Sequence, residues 1–370
     1  MSLSPSEAPL KGIVLNPIGQ KQFIDHLAPA SVLFGIPHLF HTQEEIDLAK
    51  KYYPGIKCVL LPYEEFSPEW VISQYDFSVL SDQWKRESMH EKYQLLEMKY
   101  GKKMRNLHCP HGYSDKAFYL KDIVYEDISM VYGKRMLRMF DEWEVRHRLN
   151  PYLIVGNYRF SYYMDHREYL DRLAQEELFS KFAEEQPTLL YAPTCVDQQK
   201  TTSFFDAVDD VVKGLPAHYN MVVKLHPRLE DDNPSRFYSL IVKNEGRPNL
   251  QIVKDFPLIY PLLSRIAVYI GDMSSVGYDF LVFDRPMFFL NQLKQKFPSY
   301  ECGTVIEPDE YKNLYAILEK ELPEDQKKYQ EKRQFALNDT FGPMRSQQSI
   351  RQQLREILDG KIPDYGKIDS

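Results

Sequence analysis

The sequence is poor in cysteine, and none of its four cysteines belongs to a C-x-x-C pair. Disulfide frameworks and structural zinc sites need even sets of cysteines at short, regular spacing, so neither is predicted. Reduced thiols in a cytoplasmic protein are the simplest interpretation. The four residues are Cys58, Cys109, Cys195 and Cys302.

Long apolar runs are also missing, since no segment approaches the roughly 20 apolar residues that a membrane span needs. The N-terminal segment MSLSPSEAPLKG is polar and lacks the apolar core of a signal peptide. We therefore expect a soluble protein, with peripheral contact at the inner face of a membrane left open. A net charge of -7 argues against general binding of nucleic acid.

Three phosphate-binding or catalytic signatures are absent from the sequence. It has no G-x-x-x-x-G-K-[ST] loop, no G-x-G-x-x-G fingerprint and no G-x-S-x-G elbow. These absences disfavour a P-loop ATPase, a nicotinamide-dependent enzyme and a serine hydrolase of the nucleophile-elbow type.

Short apolar runs alternate with helical patterns along the chain, which predicts parallel α/β sheets. The predicted strands are Ser31–Phe34 (ambiguous), Cys58–Leu61, Phe77–Leu80, Tyr152–Val155, Leu189–Ala192, Met221–Leu225, Leu250–Val253, Val268–Ile270 and Met287–Leu290. The predicted helices are Gln43–Tyr53, Met89–Tyr100, Gly133–Leu149, Phe204–Val212, Tyr311–Leu322, Pro323–Leu337 and Ser346–Leu358.

The length of 370 residues suits two domains. We expect an acceptor-side α/β domain over 1–155, a hinge region over 156–186, a nucleotide-donor α/β domain over 187–345, and a C-terminal helix and tail over 346–370. Two such domains facing a central cleft suit an enzyme that holds a donor in one half and an acceptor in the other.

Four short polar segments follow predicted strands. They are HCPHGYSDK at 108–116, YAPT at 191–194, KLHPR at 224–228 and DMSS at 272–275. The last one combines two hydroxyls with the start of a helix, whose unpaired N–H groups and dipole favour an anion. A phosphate is therefore the first ligand to consider.

His226 follows a strand and precedes Pro227, which favours an extended backbone at the histidine. With Lys224 and Arg228 close in sequence, its imidazole suits a pyrophosphate. Alternation along the strand places Lys224 and His226 on one face. A structural histidine with no role in binding is an equally good interpretation of this motif.

His111 precedes Gly112 in a predicted loop, where the glycine leaves room for a substrate beside the imidazole. Histidine suits a general base because its ordinary pKa lies near neutral pH. A turn histidine without a catalytic role explains the motif equally well. A metal site at His108-Cys109-Pro110-His111 lacks a second ligand pair at recognisable spacing, so no metal is expected.

The remaining candidates also have structural alternatives. Ser274 and Ser275 suit a phosphate, or simply an N-cap and its neighbour. Asp279 lies one helical turn further on, where it can reach a ribose hydroxyl or face solvent. Thr194 suits a phosphate contact or a helix cap. Asp272 opens the DMSS segment and is grouped with the donor-binding candidates.

In their residues and their order, these motifs resemble those of CDP-glycerol glycerophosphotransferases, the teichoic-acid-type polymerases and primases. The resemblance covers roughly residues 106–348 and is most specific at 268–290. It implies a GT-B-like fold of two Rossmann-like domains. It also implies transfer of an alditol phosphate, glycerol phosphate in the first place, from a CDP-activated donor to an acceptor hydroxyl, with release of CMP. The expected acceptor is a cell-surface glycan or its lipid-linked precursor, and no cofactor or metal is expected.

The same resemblance implies a role for each candidate. His111 is the general base, and His226 contacts the donor pyrophosphate. Ser274, Ser275 and Thr194 bind phosphate, and Asp279 faces the nucleoside. Two alternatives stay open: a CMP-sugar-dependent glycosyltransferase of GT-B type, and a nucleotide-binding module without turnover.

Overall fold

The computed structural model describes residues 9–16, 21–81, 86–116, 118–149, 151–196, 201–363 and 365. The chain divides into two compact units. The first unit comprises Met1–Gly112, Ala117–His166 and Asp339–Ser370, and the second comprises Tyr113–Lys116 and Arg167–Asn338.

This division differs in detail from the one expected from the sequence. The chain passes between units at 166/167, inside the stretch predicted as a hinge, and the C-terminal segment from Asp339 belongs to the first unit. A short segment, Tyr113–Lys116, belongs to the second unit although its neighbours in sequence belong to the first. A hinge function for 156–186 stays a prediction.

The described part of the first unit contains a seven-stranded parallel sheet of order β3-β2-β1-β4-β5-β6-β7. Its strands are β1 (Gly12–Val14), β2 (His38–Phe40), β3 (Cys58–Leu60), β4 (Phe77–Leu80), β5 (Arg105–His108), β6 (Ile128–Val131) and β7 (Tyr152–Ile154). Its helices include α1 (Ile24–Phe34), α2 (Gln43–Tyr52), α3 (Pro68–Gln74), α4 (Arg86–Tyr100), α5 (Lys134–Glu142) and α6 (Tyr158–Asp165).

The described part of the second unit contains a six-stranded parallel sheet of order β10-β9-β8-β11-β12-β13. Its strands are β8 (Thr188–Ala192), β9 (Asn220–Lys224), β10 (Leu250–Val253), β11 (Ile266–Gly271), β12 (Met287–Leu290) and β13 (Thr304–Ile306). Its helices are α7 (Arg167–Glu177), α8 (Phe204–Lys213), α9 (Arg228–Asp232), α10 (Pro234–Asn244), α11 (Ile259–Leu263), α12 (Ser275–Phe280) and α13 (Leu314–Phe341), which ends in the first unit.

The last described helix, α14 (Gln347–Leu358), belongs to the first unit. Short 3₁₀ segments connect many elements: Lys21–Phe23, Tyr63–Glu65, Phe118–Tyr125, Arg146–Arg148, Phe179–Lys181, Leu281–Phe283, Pro298–Cys302 and Pro308–Asn313. None of the helices in the described ranges is long and apolar enough to cross a membrane.

Both sheets have the strand order of a Rossmann fold. Counted within the second unit, the order is 3-2-1-4-5-6, so the chain changes direction across the sheet between β8 and β11. Ligands of open α/β sheets bind at the carboxyl ends of the strands beside such a switch point. The prediction of two parallel α/β sheets is confirmed.

Several local predictions were wrong, for reasons visible in the backbone. Ser31–Phe34 is the last turn of α1, and it is closed by Gly35 in the left-handed conformation (φ 69°) with its N–H on the carbonyls of Ser31 and Val32. The helix predicted over Gly133–Leu149 ends at Glu142. Pro323 does not divide two helices, because α13 continues through it.

His38 is a buried histidine that makes the first unit sensitive to acid. It is fully buried in β2, and in the described part of the chain neither ring nitrogen has a hydrogen-bond partner. Burial lowers the pKa of His38 from 6.5 to about 3. Because the unfolded chain binds more protons than the folded one between these values, this residue lowers stability as the pH falls through 6.5.

Replacing His38 with leucine is expected to reduce that acid sensitivity. Between pH 7 and pH 5 the variant should lose about 2 kcal/mol less free energy of unfolding than the wild type. Urea denaturation at the two pH values measures the difference. His218→Leu is the control, since the His218 side chain is 63% exposed. An unchanged pH slope in His38→Leu would contradict the assignment.

Candidate functional site

Three predicted motifs lie at one edge of the second sheet. β9, β8 and β11 are neighbours, and the paired residues Ala192 and Gly271 are the last residues of β8 and β11. Thr194 follows β8 and the segment 272–275 follows β11, so they lie on the two sides of the switch point. His226 follows β9, the neighbour of β8. The sequence analysis placed each of these motifs after a predicted strand.

Asp272 holds this edge together from the inside. It is completely buried, and its Oδ2 accepts hydrogen bonds from the backbone N–H groups of Thr194 (2.8 Å) and Ser203 (3.1 Å). It thereby joins the end of β11 to the loop after β8 and to the start of α8. Its two hydrogen bonds position these loops. A direct contact between Asp272 and the donor, as grouped from the sequence, stays a prediction.

The buried carboxyl of Asp272 interacts electrostatically with several tyrosines. Burial raises the pKa of Asp272 to about 6, against hydrogen bonds from Ser203 and Thr194 and the positive charge of Lys116. Its negative charge in turn helps to raise the pKa values of Tyr191 and Tyr300, after the larger effect of burial. The switch point, where ligands of such sheets bind, thus holds a carboxyl group with a perturbed pKa.

The turn after β11 requires glycine at its start. A Cβ on Gly271 would lie 2.4 Å from the hydroxyl of Tyr269 and 2.9 Å from the carbonyl oxygen of Ala192. The Tyr269 hydroxyl lies under the turn, where it donates to the Asp272 carbonyl (3.2 Å) and lies 3.3 Å from the Ser274 hydroxyl. This packing fixes the backbone that presents the serine pair.

Ser274 is the N-cap of α12 but makes no capping hydrogen bond with its side chain. Ser274 and Ser275 are both partly exposed, unlike the three residues before them. A helix start leaves N–H groups without partners inside the helix. Two hydroxyls and these N–H groups can therefore face an anionic group.

His226 is oriented by the backbone. Its Nδ1 accepts a hydrogen bond from the N–H of Arg228 (3.2 Å), which assigns the ring proton of the neutral imidazole to Nε2. The ring is partly exposed. With its proton on Nε2, His226 can act as an Nε2–H donor.

The two basic residues beside His226 differ from each other. Lys224 donates to the carbonyl of Phe256 (3.2 Å) at the end of β9. Arg228 is exposed on the first turn of α9. Their contact with a donor stays a prediction.

One of the two interpretations of Asp279 placed it in solvent, and the structure does not agree with it. It is 5% exposed, and its Oδ1 accepts a hydrogen bond from the hydroxyl of Tyr260 (2.9 Å). A contact of Asp279 with a nucleoside stays a prediction.

The segment Tyr113–Lys116 also belongs to this edge of the second unit, and sequence reasoning assigned it no role. The ring of Tyr113 packs edge-on against Tyr278 of α12, with centroids 4.8 Å apart. Asp115 accepts from the Tyr278 hydroxyl (2.5 Å) and the Ser299 N–H (2.9 Å). Lys116 donates to the Thr201 hydroxyl (2.5 Å). The available signal was its place in the polar segment at 108–116, which follows a strand.

His111 belongs to the first unit, in the loop after β5. Burial lowers the pKa of His111 to about 4, while a hydrogen bond to the Ser81 backbone acts in the opposite direction. The phenyl ring of Phe23 packs on the imidazole, with centroids 4.8 Å apart. The ring is therefore neutral at neutral pH and has a lone pair that can accept a proton.

Gly112 has a backbone conformation that favours glycine, with φ at 111°. Its N–H donates to the Tyr132 hydroxyl (3.2 Å), which itself donates to the Pro110 carbonyl (2.9 Å). The loop that carries His111 is thus fixed by backbone contacts. Beside it, Cys109 and His108 are almost fully buried, and the described residues contain no group of three potential metal ligands.

Residues 171–311 match the family model of CDP-glycerol:poly(glycerophosphate) glycerophosphotransferases. This match confirms the resemblance predicted from the motifs, and it spans most of the second unit. Thr194, His226 and the serine pair lie inside it, whereas His111 and Lys116 lie outside. No curated protein matches the chain by sequence.

Solved structures similar to the chain confirm the GT-B-like α/β fold. A structure of the wall teichoic acid polymerase TagF soaked with CDPG has a TM-score of 0.62 at 16% identity, covering 99% of this chain and 91% of that chain. The HepE protein of Anabaena in complex with UDP-glucose has a TM-score of 0.53 at 11% identity, covering 95% of this chain and 100% of that chain. At such identities these likenesses concern the fold alone.

Proposed function

We propose that the chain transfers glycerol phosphate from CDP-glycerol, or a closely similar CDP-alditol, to an acceptor hydroxyl and releases CMP. The observation that carries the proposal is the edge formed by β9, β8 and β11, where Thr194, His226 and the serine pair follow adjacent strands inside the region matched by the glycerophosphotransferase family. The choice of donor is supported by the similar TagF polymerase, whose crystals were soaked with CDPG.

The donor half of the reaction is assigned to the second unit. The acceptor oxygen forms a bond to the glycerol-bearing phosphorus, and the bond from that phosphorus to the bridging oxygen breaks. Negative charge then accumulates on the phosphate of the departing CMP. Catalysis of such a step depends on positioning and electrostatic stabilisation. The hydroxyls of Ser274 and Ser275 and the Nε2–H of His226 supply donors for that charge.

The acceptor half is assigned to His111. As the new bond forms, the acceptor hydroxyl gives its proton to the neutral imidazole. Its lowered pKa keeps the ring unprotonated at neutral pH, at the cost of weaker basicity. The Ser81 backbone fixes the ring orientation, as a third group does in other activated bases.

The proposal extends to partners and location. The acceptor is a hydroxyl of a glycan or of a lipid-linked precursor, and neither a cofactor nor a metal is required. A cytoplasmic site of action, with peripheral contact at the inner membrane face, is supported by the free thiols of all four cysteines. Nucleic acid is not a proposed partner, given the net charge of -7.

A nucleotide screen tests the proposal. Calorimetry of the purified full chain should give the tightest binding for cytidine diphosphate among the cytidine, uridine, guanosine and adenosine nucleotides. CMP release should then be measured with CDP-glycerol, CDP-ribitol and a CMP-sugar. Preference for another base, or turnover of the CMP-sugar alone, would overturn the proposal. Cytidine diphosphate binding without any CMP release would favour a binding module.

A further inference from the structure

We infer that Lys116 supplies the positive charge for the donor diphosphate at the switch point of the second unit. The inference rests on the proposed function for the identity of the donor. The role of Lys116 itself is inferred from the position of Tyr113–Lys116. This segment belongs to the second unit, although the residues before and after it in sequence belong to the first.

Three contacts fix this segment against α12, the helix that begins at Ser275, and against Ser299. Tyr113 packs on Tyr278, and Asp115 accepts from the same tyrosine, which lies in α12 three residues after Ser275. The second oxygen of Asp115 accepts from the Ser299 N–H. These three contacts hold the segment against residues that follow β11 and β12 in the chain. Lys116 is therefore carried by an anchored backbone.

The ammonium of Lys116 points to the other side of the switch point. It donates to the hydroxyl of Thr201, and the next residue, Thr202, donates to the Thr194 carbonyl (2.7 Å). The charge of Lys116 also acts on the carboxylate of Asp272, which joins the loop after β11 to the loop after β8. The lysine thus lies next to both loops that the proposed function assigns to phosphate.

Electrostatics explain why a cation is needed there. Asp272 brings negative charge to the edge, which opposes a diphosphate unless a cation compensates it. The Nδ1 of His226 accepts from the Arg228 N–H, and the ammonium of Lys224 donates to the Phe256 carbonyl. A partly exposed lysine at the loops can balance the buried carboxylate in the free protein and contact phosphate in the complex.

Lys116→Met should weaken binding of cytidine diphosphate by about 10- to 100-fold, the range for losing a hydrogen bond to a charged group. Binding of cytidine, which has no phosphate, should not change. Calorimetry with cytidine diphosphate, cytidine and inorganic pyrophosphate measures both. Lys116→Arg should restore most of the affinity. Lys213→Met is the matched control, because Lys213 is 76% exposed on the last turn of α8.

The outcomes separate this inference from the proposed function. If Lys116 only stabilises the fold, Lys116→Met will weaken cytidine and cytidine diphosphate equally or leave both unchanged, and either result overturns the inference. If the wild type prefers uridine diphosphate, the proposed function fails, and the loss of that ligand's affinity in Lys116→Met then decides the role of Lys116. A wild type that binds neither diphosphates nor pyrophosphate refutes both.

Discussion

His111→Ala should lower the rate of CMP release by about 100- to 10,000-fold, the contribution expected of a general base. Affinity for cytidine diphosphate should stay nearly unchanged, because the donor site is assigned to the second unit and His111 belongs to the first. The loop itself should survive the change, since the contacts of Tyr132 with Gly112 and Pro110 involve backbone atoms of the loop. Single-turnover release of CMP and calorimetry measure the two quantities.

His226→Ala, unlike His111→Ala, should weaken the binding of cytidine diphosphate. Loss of the Nε2–H donor removes a contact to the donor phosphates, so affinity for cytidine diphosphate should fall by up to about tenfold. His218→Ala serves as the control in the same unit, since His218 is largely exposed. Equal losses of affinity in His111→Ala and His226→Ala would refute the division of roles.

The fold class was predictable because strand–helix alternation reflects burial. The strands of the second sheet that sequence analysis identified, such as β8 and β11, are runs of buried apolar residues, as expected when helices cover both faces of a parallel sheet. Strands as short as three residues carry little periodic signal: β1 and β13 were missed, whereas β3 and β7 were predicted from apolar runs. Tertiary contacts decide the conformation of such segments.

The candidate site was predictable at the level of strand ends and not at the level of side-chain direction. A strand order of 3-2-1-4-5-6 places the residues after β8 and β11 together whatever their identity. Asp272 was grouped with the donor-binding residues, and the structure shows that its carboxylate is buried and accepts from the N–H groups of Thr194 and Ser203. Sequence spacing does not show in which direction such a side chain points.

That Lys116 belongs to the second unit could not be predicted from the sequence, for a different reason. Its segment lies in the second unit through contacts with Tyr278, Ser299 and Thr201, which are far away in sequence. No local pattern records such contacts. A lysine in a loop is most often a solvated charge, and only its partners distinguish it.

Arg333→Met should destabilise the second unit by about 3–5 kcal/mol, the cost of breaking a buried ion pair from one side. The Arg333 side chain is fully buried in α13, and its guanidinium contacts Asp284 (2.7 Å) and Asp325 (2.8 Å). Asp284 ends the 3₁₀ turn after α12 in a left-handed conformation, immediately before the segment that leads into β12. The guanidinium thus joins α13 to the sheet that carries the candidate site.

Chemical denaturation of the full chain measures this effect, and the transition that cytidine diphosphate shifts identifies the second unit. Lys332→Met is the matched control, because Lys332 is the exposed neighbour of Arg333 on the same helix. Burial raises the pKa of Asp325, and Arg333 opposes that rise, so removing the guanidinium leaves a buried carboxylate without compensation. Adding Asp325→Asn to Arg333→Met should therefore recover part of the lost stability. If Arg333→Met unfolds at the same denaturant concentration as Lys332→Met, the guanidinium does not hold α13 on the sheet.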